Sequence, residues 1–156
     1  MAAERVRDFL REKGVSFETQ THDRAVTAQE VAASEHESGW RIAKPVLLRA
    51  GDELVMVVVP APLMVDLDRA ADALATPEVR LATEEEFAEQ FDDCETGAEP
   101  IFGNLYGVRV LADQRLTLEP RIRFAAGSHT ETIEVATQDF LSLANARSSS
   151  VGVPAQ

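Results

Sequence analysis

The hydrophobic positions near the start of the chain recur with the spacing of an amphipathic helix. Within residues 3–13 they lie at i, i+3 and i+4, at Val6, Phe9 and Leu10. Gly14 follows as a stop signal. Apolar and polar residues then alternate over 15–19, which predicts a short strand. The chain is therefore expected to open with a helix followed by a strand.

The longest apolar stretch of the chain is RIAKPVLLRAGDELVMVVV. It predicts two strands, 41–50 and 53–60, that form a hairpin around Gly51-Asp52. The second strand is apolar throughout, so we expect both of its faces to be covered. Lys44 lies where the first strand enters the interior. A lysine at such a point either snorkels to the surface or anchors an anionic or carbonyl group.

Capping signals mark the beginnings of further helices. Thr27 with Glu30 forms a capping box that opens a helix through AQEVAASE, and Thr83 with Glu86 opens another that runs to about Phe91. A third helix is predicted from apolar residues at helical spacing, namely Leu63, Leu67, Ala70, Ala71 and Leu74. A final helix, QDFLSLANA, is expected to be capped by Thr137.

Four strand candidates complete the pattern: EVRLA, YGVRVLAD, RIRFAA and TETIEVA. The polar tail RSSSVGVPAQ, residues 147–156, is expected to be disordered. Because strands and helices are interspersed without a linker or an internal repeat, we predict a single α/β (α+β) domain over residues 1–146 with a mixed sheet.

The composition is that of one soluble globular domain. The chain has 156 residues, of which 45% are hydrophobic and 27% charged, a size that needs no disulfide or metal to fold. No apolar run reaches the roughly 18 residues of a membrane span, so no membrane partner is expected. MAAERVRDFLREKG lacks the apolar core of a signal peptide. Cys94 is the single cysteine, which predicts a cytoplasmic protein without disulfides.

The charge balance is strongly acidic. Fifteen Lys and Arg against 27 Asp and Glu give a net charge of −12, which argues against broad nucleic-acid binding because phosphate contacts need positive charge. No DNA partner is expected. A local basic patch stays open at two clusters, Arg5, Arg7, Arg11 and Lys13 at the start, and Arg115, Arg121 and Arg123 late in the chain.

Several well-known catalytic and ligand-binding motifs are missing from the sequence. It contains no phosphate-binding GxxxxGK[ST], no GxGxxG after a strand, no HExxH, no CxxC and no GxSxG. A zinc site built from Cys94 and three scattered histidines, His22, His36 and His129, has no ligand spacing behind it. A pair of Cys94 with His129 as nucleophile and base is a second alternative. No cofactor and no metal are expected.

Three features point to chemistry. Lys44 heads a buried strand. The loop CETGAEPIFGN contains Gly97, Pro100 and Gly103, and such a loop can direct backbone N–H groups at an anion or oxyanion. Gly127-Ser128-His129 forms a turn ahead of a strand and carries a histidine near its tip. None of the three decides the function by itself.

Together these features resemble the YbaK/prolyl-tRNA-synthetase-associated domain family. The resemblance extends from about Val6 to Leu143 and is carried by His22 followed by TAQEVAA, then AKPVLL, VMVVVPA, CETGAEPIFGNLYGVRVLAD and FAAGSHTETIEVATQDFLSL. The family loop has three residues between its glycine and proline, whereas GAEP has two. The resemblance implies a mixed, largely antiparallel sheet flanked by helices.

The resemblance also implies an activity, namely trans-acting hydrolysis of the ester that joins a wrong amino acid to a tRNA. The tRNA would be tRNA-Pro or a related tRNA carrying a small amino acid, bound by its 3′ acceptor end, and an aminoacyl-tRNA synthetase is an expected further partner. The implied catalytic positions are Lys44, Gly97, Pro100 and His129. The implied substrate-binding positions are His22, Phe102, Gly103, Gly127 and Ser128. Two alternatives stay open: a catalytically silent binding module of the same fold, and a hydrolase of another small activated ester.

Overall fold

The computed structural model describes residues 2–22 and 38–154. The α-helices in this part of the chain are α1 Ala2–Glu12, α2 Leu67–Leu74, α3 Glu84–Phe87 and α4 Thr137–Leu143. The strands are β1 Phe17–Thr21, β2 Ala43–Ala50, β3 Glu53–Pro60, β4 Leu63–Val65, β5 Val79–Leu81, β6 Arg109–Asp113, β7 Arg121–Ala125, β8 Glu131–Ala136, β9 Arg147–Ser149 and β10 Gly152–Pro154. The helix predicted after Thr27 lies outside the described residues. No described helix is long and apolar enough to cross a membrane.

The largest sheet has five strands in the order β5-β2-β3-β6-β9. The predicted hairpin is confirmed, since β2 pairs antiparallel with β3 in a register that sets Lys44 opposite Val59. Strand β6 then joins β3 in parallel, and β9 joins β6 in parallel. Every residue of β3 after Glu53 is buried, which confirms that both faces of this strand are covered.

A second sheet orders its strands β1-β8-β7, all antiparallel. An isolated parallel bridge between Ile42 and Arg123 joins the beginning of β2 to β7. Strand β7 leads directly into the Gly127-Ser128-His129 turn, so the two sheets meet close to that turn. The ladders are antiparallel except for the two on either side of β6, which confirms the mixed, largely antiparallel architecture.

Two apolar cores form on opposite faces of β2. Ala43 and Leu47 pack into the larger core together with Phe102 and residues of α1 and α4. Leu48 packs into the smaller core under α2 and β4, and Val46 packs against it. Because neighbouring side chains of a strand point to opposite faces, Lys44 shares the face of Val46 and Leu48.

The C-terminal tail is ordered, and the expectation of disorder for 147–156 is wrong for the residues that the structure describes. Residues 147–149 form β9 and residues 152–154 form β10. Between them, Val151 is fully buried. The buried Asp113 carboxylate accepts the N–H groups of Val151 at 3.1 Å and Gly152 at 2.8 Å. The polar composition of the tail did not indicate these contacts, because Asp113 lies 38 residues before Val151 in the sequence.

Three helix predictions also need correction. Leu63 belongs to β4 and not to the following helix, whose N-cap is Asp66. Helix α3 covers four residues and ends well before Phe91, although the Thr83 N–H does donate to the Glu86 carboxylate at 2.9 Å. Thr137 is the first residue of α4, and its hydroxyl donates to the Glu119 carbonyl instead of capping the helix.

Candidate functional site

The glycine–proline loop and the histidine turn are fastened to each other by backbone hydrogen bonds. The Gly127 N–H donates to the Ala98 carbonyl at 2.8 Å, and the Glu95 N–H donates to the Gly127 carbonyl at 2.7 Å. The Glu95 side chain adds a third bond, because its carboxylate accepts the His129 backbone N–H at 2.8 Å. Residues 94–103 and 127–129 thus form one structural element, which we call the loop–turn unit.

The His129 ring supports this unit from inside. His129 is 5% exposed, and its Nε2 lies 2.9 Å from the Thr96 carbonyl oxygen. Because a carbonyl only accepts, Nε2 must carry the proton and donate. The ring also flanks Gly97, since a Cβ at that glycine would lie 3.4 Å from His129 Cε1. The imidazole therefore fixes the path of the backbone at Thr96 and Gly97.

Thr96 and Gly97 are the part of the loop that is open to solvent. Both are exposed, whereas residues 98–103 are buried. Gly97 has φ +89°, a conformation that glycine adopts without strain. Its N–H donates to the Glu99 carboxylate at 3.1 Å, while the Thr96 N–H donates to no acceptor among residues 2–22 and 38–154. The exposed backbone at Thr96 is thus a candidate donor to a bound ligand.

Glu95 and Glu99 carry structural roles that sequence reasoning missed. Both lie two residues from Gly97, and each carboxylate accepts a backbone N–H of the loop–turn unit. Burial raises the pKa of Glu99 above its ordinary value, and the Gly97 N–H partly offsets this effect. Acidic residues on both sides of a turn glycine were the available signal, since carboxylates commonly accept backbone N–H groups at such turns.

The remaining loop positions support the unit from the core. Pro100 is buried. Phe102 is fully buried, and its ring makes edge contacts with Phe9, Phe124 and Phe140 at 5.6, 5.6 and 5.7 Å between centroids. Gly103 is also buried, and a Cβ there would lie 2.9 Å from the Val108 carbonyl oxygen. The structure therefore places the predicted substrate contacts Phe102 and Gly103 in the core, where they hold the loop from behind.

The other predicted substrate-binding positions lie around the turn. The His22 backbone N–H donates to the Thr130 carbonyl at 2.8 Å, which brings the end of β1 beside the turn. Ser128 is half-buried, and its Oγ lies 3.2 Å from Thr130 Oγ1. Gly127 has φ +94° and packs so closely on α1 that a Cβ would lie 2.3 Å from Ala2 Cβ. Gly127 and Ser128 thus belong to the loop–turn unit, and His22 lies beside it.

Lys44 lines a cavity whose lining does not include residues of the loop–turn unit. Its Nζ donates to the Ala61 carbonyl at 3.1 Å, and burial lowers the pKa of the ammonium below its ordinary value. The cavity has a volume of about 480 Å³ and is lined by Lys44, Val46, Met64, Val65, Asp66, Leu67, Asp68, Leu81 and Val153. The hydrogen bond of Lys44 therefore fixes an ammonium in the wall of a largely apolar cavity.

The strand register explains this separation. Lys44 points to the α2 side of β2, and the loop residue Phe102 packs on the other side with Leu47. The sequence placed Lys44, the loop and the turn in one site. The structure joins the loop to the turn by hydrogen bonds, whereas the hydrogen bond described for the Lys44 side chain goes to Ala61.

Neither chemical alternative raised by the sequence finds support in the geometry. The Cys94 thiol contacts the Asp93 carboxylate at 3.5 Å and the Tyr106 hydroxyl at 3.6 Å, and burial raises its pKa to about 12. A thiol of that pKa is a poor nucleophile. Within the described part of the chain, no three His, Cys, Asp or Glu side chains are grouped as metal ligands, and His36 lies outside it.

The chain belongs to the aminoacyl-tRNA editing domain family, whose family model matches residues 22–143. A comparison with curated protein sequences found no match.

Solved structures of the same fold cover nearly the whole chain. One, described as a proposed trans-editing enzyme for prolyl tRNA synthetase, has a TM-score of 0.83 at 21% identity and covers 97% of each chain. Hypothetical protein APE2540 has a TM-score of 0.85 at 18% identity, covering 95% of this chain and 99% of its own. A structure from a study of epitope backbone grafting on scaffold proteins has 0.83 at 19% identity, covering 99% and 98%. At these identities the likeness establishes the fold alone.

Proposed function

We propose that the protein is a trans-acting editing deacylase that hydrolyses the ester between a small amino acid and the 3′ end of a tRNA. The observation that carries this proposal is the loop–turn unit, in which buried His129 and half-buried Glu95 hold an exposed, glycine-containing backbone in a fixed position. Family membership supports the reaction class. The neighbour described as a proposed trans-editing enzyme for prolyl tRNA synthetase supports tRNA-Pro as the first substrate to test.

The reaction needs positioning more than a protein nucleophile. Water attacks the ester carbonyl, the tetrahedral oxyanion collapses, and the C–O bond to the ribose breaks. The ribose hydroxyl leaves with a proton, and the amino acid is released as a carboxylate. Backbone N–H groups that are already in place stabilise such an oxyanion without reorganisation. In this proposal the exposed Thr96–Gly97 backbone meets the ester, and His129 acts as a positioning residue for it.

Lys44 is proposed to bind a phosphate of the acceptor end. Its ammonium lies outside the loop–turn unit, which favours the phosphate over the ester carbonyl. The surrounding protein is acidic, with a net charge of −12, so contact with the body of a tRNA would be repulsive. Recognition through the acceptor end alone, or delivery by a synthetase, follows from this balance.

The test compares mischarged tRNAs with smaller esters. Wild-type protein is incubated with tRNA-Pro carrying Ala, Ser, Thr or Cys, with the corresponding aminoacyl-adenosines, and with simple amino acid esters. Release of the amino acid from tRNA supports the proposal. Turnover of simple esters without turnover of tRNA would favour the small-ester hydrolase, and no turnover of any substrate would favour the silent binding module.

Lys44→Ala separates the two roles of the lysine. An aminoacyl-adenosine has the ester but lacks the phosphate, so loss of a phosphate contact impairs hydrolysis of aminoacyl-tRNA and spares the adenosine ester. Lys13→Ala is the matched control, because Lys13 is exposed on the segment after α1. Equal losses on both substrates would instead place the ammonium at the carbonyl.

A further inference from the structure

The Lys44 cavity has features that the hydrolytic reaction does not use. Its volume of about 480 Å³ falls within the roughly 300–1,000 Å³ of small-ligand sites. Two of its apolar lining residues, Met64 and Leu81, are 48% and 57% exposed, so the cavity is open to solvent along an apolar rim. The exposed residues Thr96 and Gly97 do not belong to its lining. The cavity is therefore not the place where the exposed loop backbone would meet the ester.

The charged groups of the cavity differ in their availability. Lys44 contributes an ammonium from β2, and α2 contributes two carboxylates at its beginning. Asp66 is already engaged, because its Oδ1 caps α2 by accepting the Arg69 N–H at 3.1 Å. Asp68 is exposed and makes no hydrogen bond or ion pair with any residue of the described ranges. The cavity thus combines a cation, apolar walls and one carboxylate that can accept from a ligand.

We propose that this cavity holds the base of the penultimate nucleotide of the tRNA acceptor end. The inference rests on the proposed function. If the terminal adenosine presents its ester to Thr96 and Gly97, and Lys44 binds the phosphate that precedes this adenosine, then the next base lies beyond Lys44. Lys44 also lines the open cavity, so a base next to that phosphate can enter it. Its rim residues Met64 and Leu81 would cover the flat face of the base.

The carboxylate gives the cavity a preference among bases. A tRNA ends in the sequence CCA, so the penultimate base is cytosine. Cytosine has an N4 amino group that donates to carboxylates, whereas uracil has an acceptor at the same position. Asp68 would accept from this amino group at the rim. The same carboxylate would repel a second phosphate, which favours a base in this position.

The experiment uses two substrates that differ by the proposed ligand. The first is an RNA minihelix ending in CCA that is chemically charged with the amino acid turned over by wild type, and the second is the corresponding aminoacyl-adenosine. Leu81→Ala should raise KM for the minihelix roughly 3- to 10-fold, the range expected from losing part of one apolar contact. It should leave kcat and the adenosine ester unchanged. Leu118→Ala is the matched control, because Leu118 is also an exposed leucine, 69% accessible, and is not part of this cavity.

Specificity for the base is measured with uncharged minihelices, so that binding is read without turnover. Wild type should bind an end in CCA more tightly than an end in CUA, and Asp68→Asn should reduce that preference. Equal affinity of wild type for both ends would overturn the inference. An equal effect of Leu81→Ala on the adenosine ester would assign the cavity to the aminoacyl group, and no effect on either substrate would show that the cavity is not used. Failure of the proposed function is separate: it would appear as hydrolysis of neither charged substrate.

Discussion

Gly127 is the position at which one added methyl group should disturb the candidate site most. Its φ is +94°, and a Cβ would lie 2.3 Å from Ala2 Cβ on α1. The left-handed conformation costs an L-residue about 1–2 kcal/mol, and forcing a methyl into a filled space adds about 1–3 kcal/mol. Gly127→Ala should therefore lower the free energy of unfolding by about 2–5 kcal/mol.

A second substitution separates the two contributions to this loss of stability, the steric clash and the backbone strain. Ala2→Gly removes the opposing methyl, and because Ala2 is the first residue of α1, its own cost should stay below the roughly 0.5–1 kcal/mol of a glycine inside a helix. Combined with Gly127→Ala, it should restore most of the steric loss, so that the double variant is more stable than the single Gly127→Ala variant. Gly14→Ala provides the control for strain alone, because Gly14 has φ +70° and an added Cβ would meet nothing within 4 Å.

Urea unfolding followed by circular dichroism measures these differences, with the slope m as a check that the denatured state is unchanged. Deacylation of mischarged tRNA provides a second readout, because a displaced turn would also move His129 and the Thr96 backbone. A steric clash at Gly127 is refuted if Gly127→Ala destabilises the protein no more than Gly14→Ala does. It is also refuted if adding Ala2→Gly does not improve the stability of the Gly127→Ala variant.

Three further outcomes are expected. Gly97 and Gly107 have φ +89° and +72°, so Gly97→Ala and Gly107→Ala should each lower the free energy of unfolding by about 1–2 kcal/mol. Urea unfolding measures that loss, and a deacylation assay should find activity lost only in Gly97→Ala. The Cys94 thiol, whose pKa burial raises to about 12, should react with iodoacetamide slowly in the folded protein and quickly in urea; fast alkylation without urea would contradict its burial. Hydrogen bonds from Arg80 lower the pKa of Glu86 to about 2, whereas an unfolded glutamate has a pKa of roughly 4.3. The ionised Glu86 therefore contributes its full stabilisation of the fold above the unfolded pKa, and this contribution is lost as the pH falls through about 2. The Glu86→Gln variant should lack this pH-dependent contribution when its acid unfolding is measured. Acid-unfolding curves of variant and wild type that superimpose would refute the prediction.

Short sequence patterns were sufficient to predict the helices and strands that depend on interactions between residues close in sequence. The hairpin of β2 and β3 follows from two apolar runs around Gly51-Asp52, and the end of α1 follows from Gly14. The strands at Arg109, Arg121 and Glu131 are also where alternation and turn residues placed them. In each of these cases the deciding interactions lie within a few residues of one another.

Contacts between distant residues explain what the sequence did not predict. Glu95 reaches His129 across 34 positions, and no periodicity marks such a bond. The alternation of side chains along β2 did imply that Lys44 and Leu48 lie on the same face of the strand. Which face of β2 packs toward the glycine–proline loop depends, however, on how β3 and β6 pair. The bracing of the loop by the turn, and the cavity that Lys44 lines, could therefore be obtained only from the fold.

The ordered C-terminal segment has a consequence for the edge of the five-stranded sheet. Strand β9 covers the outer edge of β6, and four of the five residues of β6 are buried. An uncovered apolar strand is a template for pairing with another chain. The three residues Arg147–Ser149, which look like a dispensable polar end, thus act as a shield against edge-to-edge aggregation. A chain shortened before Arg147 would leave β6 unprotected and would be expected to associate with copies of itself.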